Sequence, residues 1–351
     1  VPRRKLTAVA ASLAVLAGAG AAQAASTLST TDRLADRRYV AAGERAYVVG
    51  SEAGRFPATG WHIRGEMGGI WSPPIKLLDG VWFALDGKWT GPATRFTSGW
   101  GYIAMDLPAP AGLEARRVEF VPDGRRAALI GLRLRSTGGE RRVSVTVDAH
   151  SELLSAYPWG STTPTAGDFN LPDSASADGH LLFRDQGRPP VANAESHDWA
   201  ALVGARERPA QTATGPGFRG PQDPPVTCPV DGTEPAHCDD SVFGKGAGGE
   251  LTYTLTVPAG ATKTLWVAVA GSDQGVAAAR AEYDAALRDP EAALAAKVAR
   301  RKQLAARTRV ELPGDRLLAE GIEWSKQNLA DSVQLAQDLR ARHVAEGKQY
   351  P

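Results

Sequence analysis

Apolar residues recur at every second position through long stretches of this chain, and turn-forming pairs separate the runs. AALIGLRLRST, residues 127–137, alternates Leu132, Arg133, Leu134, Arg135. RRVSVTVDAHSELL follows Gly138-Gly139 and repeats the pattern at Val143, Val145 and Val147. A period of two places successive side chains on opposite faces of a strand, so these runs predict strands with one face buried. Asp123-Gly124, between VEFVP and the 127–137 run, predicts a hairpin. RAYVVG (45–50), HLLFRD (180–185), WAALVGAR (199–206), ELTYTLTVPAG (250–260) and TKTLWVAVAG (262–271) read as further strands. The last two read as a second hairpin through Pro258-Ala259-Gly260. Many strands with turns between them and little helical period predict a mainly β fold, a large antiparallel β-sandwich over residues 26–272. Residues 209–249, rich in Pro, Gly, Thr and Asp, are too long for an ordinary connection and read as an excursion loop.

After Gly271 the grammar changes. Residues 273–312 are dense in Ala, Leu, Arg and Glu, strong helix formers, and predict a helical linker. Asp289-Pro290-Glu291 restarts the pattern with an N-cap, a proline at the first helical position and an acid in the first turn. Pro313-Gly314-Asp315 ends that stretch and caps a third helix, LLAEGIEWSKQNLADSVQLAQDLRARHV. Its Leu318, Ile322, Leu329, Val333 and Leu339 fall at spacings of one apolar stripe. Such a stripe needs a partner, either the sandwich or a domain that begins with this helix over 313–351.

Composition excludes some functions. Formal net charge is +1 over 351 residues, so no basic patch marks a nucleic-acid partner. The N-terminus reads as a cleavable signal peptide over residues 1–25: Arg3, Arg4 and Lys5, an Ala/Leu/Val stretch, then Ala22-Gln23-Ala24 as a small-x-small site. No other long apolar segment is present, which predicts an exported protein without stable membrane insertion. In such a protein the two cysteines, Cys228 and Cys238, predict a disulfide closing a small loop. The six histidines (62, 150, 180, 197, 237 and 343) form no H-x-x-x-H or H-x-E spacing, so no metal site is predicted. No serine sits in a G-x-S-x-G elbow, and GKGAGG (244–249) lacks phosphate-loop spacing.

Five of the nine tryptophans lie between residues 61 and 100. Trp82, in VWFALDG, and Trp266, in TLWVAV, read as core. Trp61, Trp71 and Trp100 neighbour Gly or Pro and read as loop-borne, candidates for a carbohydrate groove or a domain interface. An indole is broad and rigid and offers a flat face to the apolar side of a sugar ring. Glycoside hydrolysis needs two carboxyl groups about 5–10 Å apart. The same segment offers Glu66 in RGEMGG, where a glycine-rich turn with Arg64 is the alternative, and Asp79 and Asp86, each in an LDG run that reads first as a turn.

In order and size the chain resembles the N-terminal part of bacterial glucoamylase-like and glycogen-debranching-type glycoside hydrolases, the six-hairpin glycosidases. The stretches that carry the resemblance are GRFPATGWHIRGEMGGIWSPPIKLLDGVWFALDGKW and LLAEGIEWSKQNLADSVQLAQDLR. It covers most of residues 30–351. It implies a supersandwich, a helical linker and the opening helix of an α/α toroid, with an α-glucan or other oligosaccharide as substrate of the full-length protein. It also implies that the catalytic acid and base lie in the toroid, beyond these residues, so no catalytic residue and no cofactor is assigned here. The alternative of a different class is a stand-alone secreted carbohydrate- or cell-wall-binding sandwich.

Overall fold

The computed structural model describes residues 26–56, 68–155, 171–189, 196–215, 246–308 and 314–333, with residues 218, 220, 221, 310, 312 and 335. The strands are β1 (Thr27–Thr30), β2 (Arg38–Ala42), β3 (Tyr47–Ser51), β4 (Gly69–Ser72), β5 (Ile75–Leu85), β6 (Lys88–Trp89), β7 (Arg95–Gly99), β8 (Tyr102–Leu107), β9 (Leu113–Phe120), β10 (Ala127–Ser136), β11 (Arg141–Ser155), β12 (Ser174–Ala177), β13 (Leu181–Gly187), β14 (His197–Ala205), β15 (Gln211–Thr214), β16 (Gly248–Val257) and β17 (Thr262–Ser272). They form two antiparallel sheets. One has nine strands in the order β1-β7-β8-β9-β10-β17-β14-β13-β12; the other runs β15-β16-β11-β5-β4-β3-β2, with β6 on β5. The predicted mainly β sandwich is the fold found.

Alternation sets what each strand buries. Val143, Val145 and Val147 of β11 face Leu132, Leu134, Leu265 and Val267 of the other sheet inside one apolar interior. The hairpin at Asp123-Gly124 joins β9 to β10, with Phe120 opposite Leu129. The expected β16–β17 hairpin is not one. β16 pairs with β11 and β15, whereas β17 pairs with β10 and β14, so Pro258–Ala261 carries the chain from one sheet to the other. A turn sequence fixes where the chain reverses, not which sheet receives the returning strand. The Ser136 N–H donates to the Ala261 carbonyl at 3.1 Å and ties this arch to the end of β10. Within the expected excursion loop, β15 adds a strand beside β16; residues 222–245, with both cysteines, lie outside the described residues, as does the 1–25 stretch.

The outer face of the nine-stranded sheet is not wet along its whole length. Helix α1 (Val276–Ala286) lies on it and packs Ala279, Tyr283 and Ala286 against Phe120, Leu129, Ala200, Leu202 and Trp266. Gly131 sits directly opposite Trp266, and a Cβ there would come within 2.7 Å of the indole, so the ring has room only over glycine. Helix α2 (Pro290–Arg307) follows, capped as predicted by Asp289, which accepts from the Ala292 N–H at 3.0 Å. Glu291 accepts from the Trp266 indole N–H at 3.0 Å and pairs with Arg133 at 3.0 Å.

One buried cation anchors α2. The Lys297 ammonium donates to the carbonyls of Ala42 and Val121, each at 2.7 Å, and to Asp123 at 3.1 Å. Burial lowers its pKa from the ordinary lysine value, and the Asp123 charge opposes that shift. Gly101, at φ +87° in the β7–β8 turn, lets the backbone pass against the Lys297 and Arg301 stems. Helix α3 (Arg316–Asp331) hangs on α2: Asp331 pairs with Arg301, and Gln327 donates to the Arg301 carbonyl at 3.3 Å. The predicted third helix is shorter than its pattern, for Ser332 closes it, its N–H bonding back to Asn328 and Leu329. Residues 336–351 lie outside the described residues.

Lys297→Met keeps the aliphatic stem but leaves the Ala42 and Val121 carbonyls without this donor, while Asp123 keeps Arg300. Leaving a buried polar group unsatisfied costs about 1–3 kcal/mol each. Urea unfolding is expected to register a loss of that size, and hydrogen exchange of the α2 amides is expected to quicken with it.

Candidate functional site

The chemistry-bearing side chains of the sandwich gather at one end, where β4, β5, β11, β13 and β14 begin or finish. β5 is buried along all eleven residues, IKLLDGVWFAL, so both faces of its sheet are covered there. The LDG at 78–80 is not the turn its sequence suggests. Gly80 pairs with His150 and Leu78 with Ser151, which leaves Asp79 as the extra residue of a β-bulge. Gly69, at φ +89°, backs the bulge so closely that a Cβ would meet the Leu78 carbonyl at 2.1 Å. The second LDG does turn: Asp86 (φ +49°) and Gly87 (φ +75°) link β5 to β6.

The bulge aims Asp79 at two basic side chains. Its Oδ1 pairs with the buried Lys76 ammonium, and its Oδ2 lies 3.6 Å from His150 Nδ1. A second imidazole is held the same way, with His197 Nε2 at 2.8 Å from Asp185 Oδ1 and its ring stacked on Trp199, centroids 3.8 Å apart. Asp173 stands electrostatically between the pairs. Its Oδ2 accepts from Ser151 Oγ at 2.6 Å and from the Leu153 N–H at 3.0 Å. Burial pushes its carboxyl well above the usual range, and the charges of Asp185 and Asp79 add to the shift. Each imidazole backed by a carboxylate has the form of a general base. Lys76, Asp79, His150, Ser151, Glu152 and Asp185 are nevertheless all buried. This is an interior polar lock at the sandwich end, not a pair of carboxyls flanking an open cleft. Among the described residues no group of three or more His, Cys, Asp or Glu is arranged to hold a metal ion.

The sandwich has a second enclosed acid. Asp148, two residues before His150 on β11, lies opposite Trp82 and accepts from the Gly220 N–H at 3.2 Å. Burial raises its carboxyl to about 8; the Gly220 bond opposes this and the Glu250 charge reinforces it.

The expected site residues fall in different places. Trp71 is strand-borne, not loop-borne: it lies in β4, is 4% exposed, stacks on Tyr47 and donates its indole N–H to Gly68 at 2.9 Å. Proline and glycine flank it because strands β4 and β5 are short-linked, not because it lies in a loop. Trp100 is in the β7–β8 turn and buried, its ring edge-on to Trp324 of α3 with centroids 6.4 Å apart. Trp82 and Trp266 are buried as expected. Trp61 and Glu66 lie outside the described residues, as do His62 and His237. Lys76, Asp79, His150, Asp173, Asp185 and His197 share no local motif. The signal available was the polar tail DAHSE, ending a strand that alternates valines, and the charged Lys76 and Asp79 inside an apolar run.

The fold defines the chain as a two-sheet antiparallel sandwich with helices on one outer face. No family model matches it, and no curated protein does. Among solved structures it is similar to a "putative kojibiose phosphorylase" from the human microbiome, at 10% identity and a TM-score of 0.48, covering 83% of this chain and 39% of that one. It is also similar to a galactose mutarotase related enzyme from Lactobacillus acidophilus, at 9% identity and a TM-score of 0.31, over 68% of this chain and 98% of that one. The chain thus spans well under half the length of the first. Likeness at this level carries no argument about chemistry.

Asp148 makes the fold pH-sensitive. Between the unfolded aspartate value of about 3.9 and the folded value of about 8, the native state holds a proton that the unfolded state releases. Its contribution is full below the lower value and is lost as pH rises through the upper one. Asp148→Asn is expected to flatten that slope. From pH 5 to 8 the wild type should lose at least about 1 kcal/mol more than the variant in urea unfolding, against a ceiling of roughly 4.

Proposed function

We propose that this chain is the noncatalytic β-sandwich and linker portion of an exported glycoside hydrolase of the debranching or glucoamylase type. In that reading a helical catalytic domain packs on α3, and the sandwich supports it. The intact protein hydrolyses α-glucosidic bonds with a general acid and a general base, and no cofactor is needed for that chemistry.

The observation that supports this reading is the state of α3. One side of the helix is engaged: Gln327 is buried, and Lys326 donates to the Ala305 carbonyl at 3.1 Å. Trp324 packs on Trp100, but the leucines point elsewhere. Leu317 is 80% exposed, Leu318 53% and Leu329 71%, with Val333 and Leu335 exposed just beyond. Leu318 and Leu329 lie eleven residues apart, about three helical turns, and so share a face. Elsewhere among the described residues most large apolar side chains are buried, with Leu28, Val40, Trp89 and Val310 the exposed exceptions. A helix whose leucines stay in water while its polar face is docked fits a helix waiting for a second helical layer, as the family resemblance implies. The buried ionisable cluster agrees, because the sandwich encloses its own acid–base groups.

The test compares maltooligosaccharide hydrolysis by the 351-residue chain with that by a protein expressed from the reading frame continued past Pro351. Glucose release by the longer protein alone is expected. Release by the short chain, or a stop codon directly after Pro351, overturns the reading. In the short chain, Leu318→Glu with Leu329→Glu is expected to leave unfolding within about 0.5 kcal/mol of wild type, as surface changes do, while lowering self-association in sedimentation velocity.

A further inference from the structure

We propose that the groove between the β12–β13 turn, the end of β14 and helix α1 is a binding site for a neutral saccharide. It lies on the sandwich and does not depend on the helical-domain reading above.

The groove encloses about 640 Å³, within the roughly 300–1,000 Å³ of small-ligand sites. Six charged side chains line it: Asp178, Arg206, Glu207, Arg208, Asp284 and Arg288. Three are cations and three are anions, so their formal charges cancel. Despite that, none of the six side chains takes part in an ion pair or hydrogen bond among the described residues. Elsewhere on this surface opposite charges do pair, as Arg184 does with Asp198 at 2.7 Å and Arg300 with Glu44 at 2.9 Å. Among the described residues, then, the groove's guanidinium donors and carboxylate acceptors are uncommitted.

That arrangement selects its ligand by chemistry. An anion gains nothing from a lining of zero net charge, and each carboxylate repels it. A hydroxyl is donor and acceptor at once. A polyol can therefore satisfy both kinds of group, through charge-assisted bonds that are stronger than neutral ones. A row of ring hydroxyls offers many such groups on a rigid frame.

The floor is preformed. Tyr283 donates its hydroxyl to the Ala205 carbonyl at 3.2 Å, and its ring is held between His180, centroids 5.8 Å apart, and the Arg280 guanidinium at 5.6 Å. Burial and the neighbouring Arg280 lower the pKa of His180, against the opposing charges of Asp178 and Asp284. Gly204 lies under this floor, where a Cβ would come within 2.7 Å of the Tyr283 hydroxyl.

Titration calorimetry on the full chain tests the site. Maltopentaose, mannopentaose and xylopentaose are the neutral probes, and trigalacturonate is the charged counterpart, each at low and high salt. At least one neutral pentasaccharide is expected to bind, with an affinity that salt does not change. Glu207→Gln and Arg288→Ala, both surface changes, are each expected to weaken it about tenfold or more, the effect of one lost charge-assisted hydrogen bond, with unfolding midpoints unchanged. The proposal is overturned if no neutral pentasaccharide binds, if binding survives both substitutions, or if only trigalacturonate binds and salt abolishes it. Failure here leaves glucose release by the longer protein untouched, so the two readings fail separately.

Discussion

A buried ammonium group ties the second helix of this protein to its sandwich. Lys297 satisfies the carbonyl that ends β2 and the carbonyl that follows β9, and it reaches Asp123 at the β9–β10 turn. Those carbonyls belong to different sheets. The lysine therefore clamps the two sheets together as well as seating α2 on them. Arg301, one turn on, holds Asp331 and hands its own carbonyl to Gln327, and Trp324 meets Trp100, so α3 is seated both on α2 and on the β7–β8 turn. A buried charge is expensive unless its partners are complete, and here the completeness of the partner set is what fixes the geometry.

The same logic operates inside the sandwich. Arg117 and Glu119 of β9 point between the sheets, where Glu119 accepts from the Tyr39 hydroxyl at 2.7 Å and Arg117 lies over the Phe56 and Phe83 rings. At the far end the Ser151–Asp173 contact ties β11 to the residue before β12, while the Asp79–His150 and Asp185–His197 pairs each join neighbouring strands of one sheet. Apolar packing alone tolerates many small shifts of register. These polar contacts do not, because each leaves a buried charge or imidazole stranded if a strand slips by one residue. The uncommitted charges of the α1 groove are the opposite case.

Much of the fold was legible along the chain. Alternating valines and leucines placed β10, β11, β16 and β17, Asp123-Gly124 placed a hairpin, and Asp289 and Asp315 placed two helix starts, because these signals act over a few residues and need no distant partner. Other readings failed for one reason. Pro258–Gly260 reverses the chain, but whether β17 returns beside β16 depends on which sheet has an open edge. Asp79-Gly80 has turn chemistry, yet strands on both sides of β5 hold it extended. Trp71 looked loop-borne beside its glycine and prolines, and pairing with Tyr47 made it a strand residue.

By itself the sequence determined the class of fold, the strand and helix starts, the apolar stripe of the last helix and the near-zero charge, all of which follow from local periodicity and composition. Only the tertiary structure decided which strands share a sheet, that Lys76, Asp79, His150, Asp173, Asp185 and His197 meet, and that six charges with no ion pair among the described residues line one groove. Those residues are scattered over more than a hundred positions. Their meeting depends on burial and on hydrogen bonds between distant strands, which no window of the chain contains.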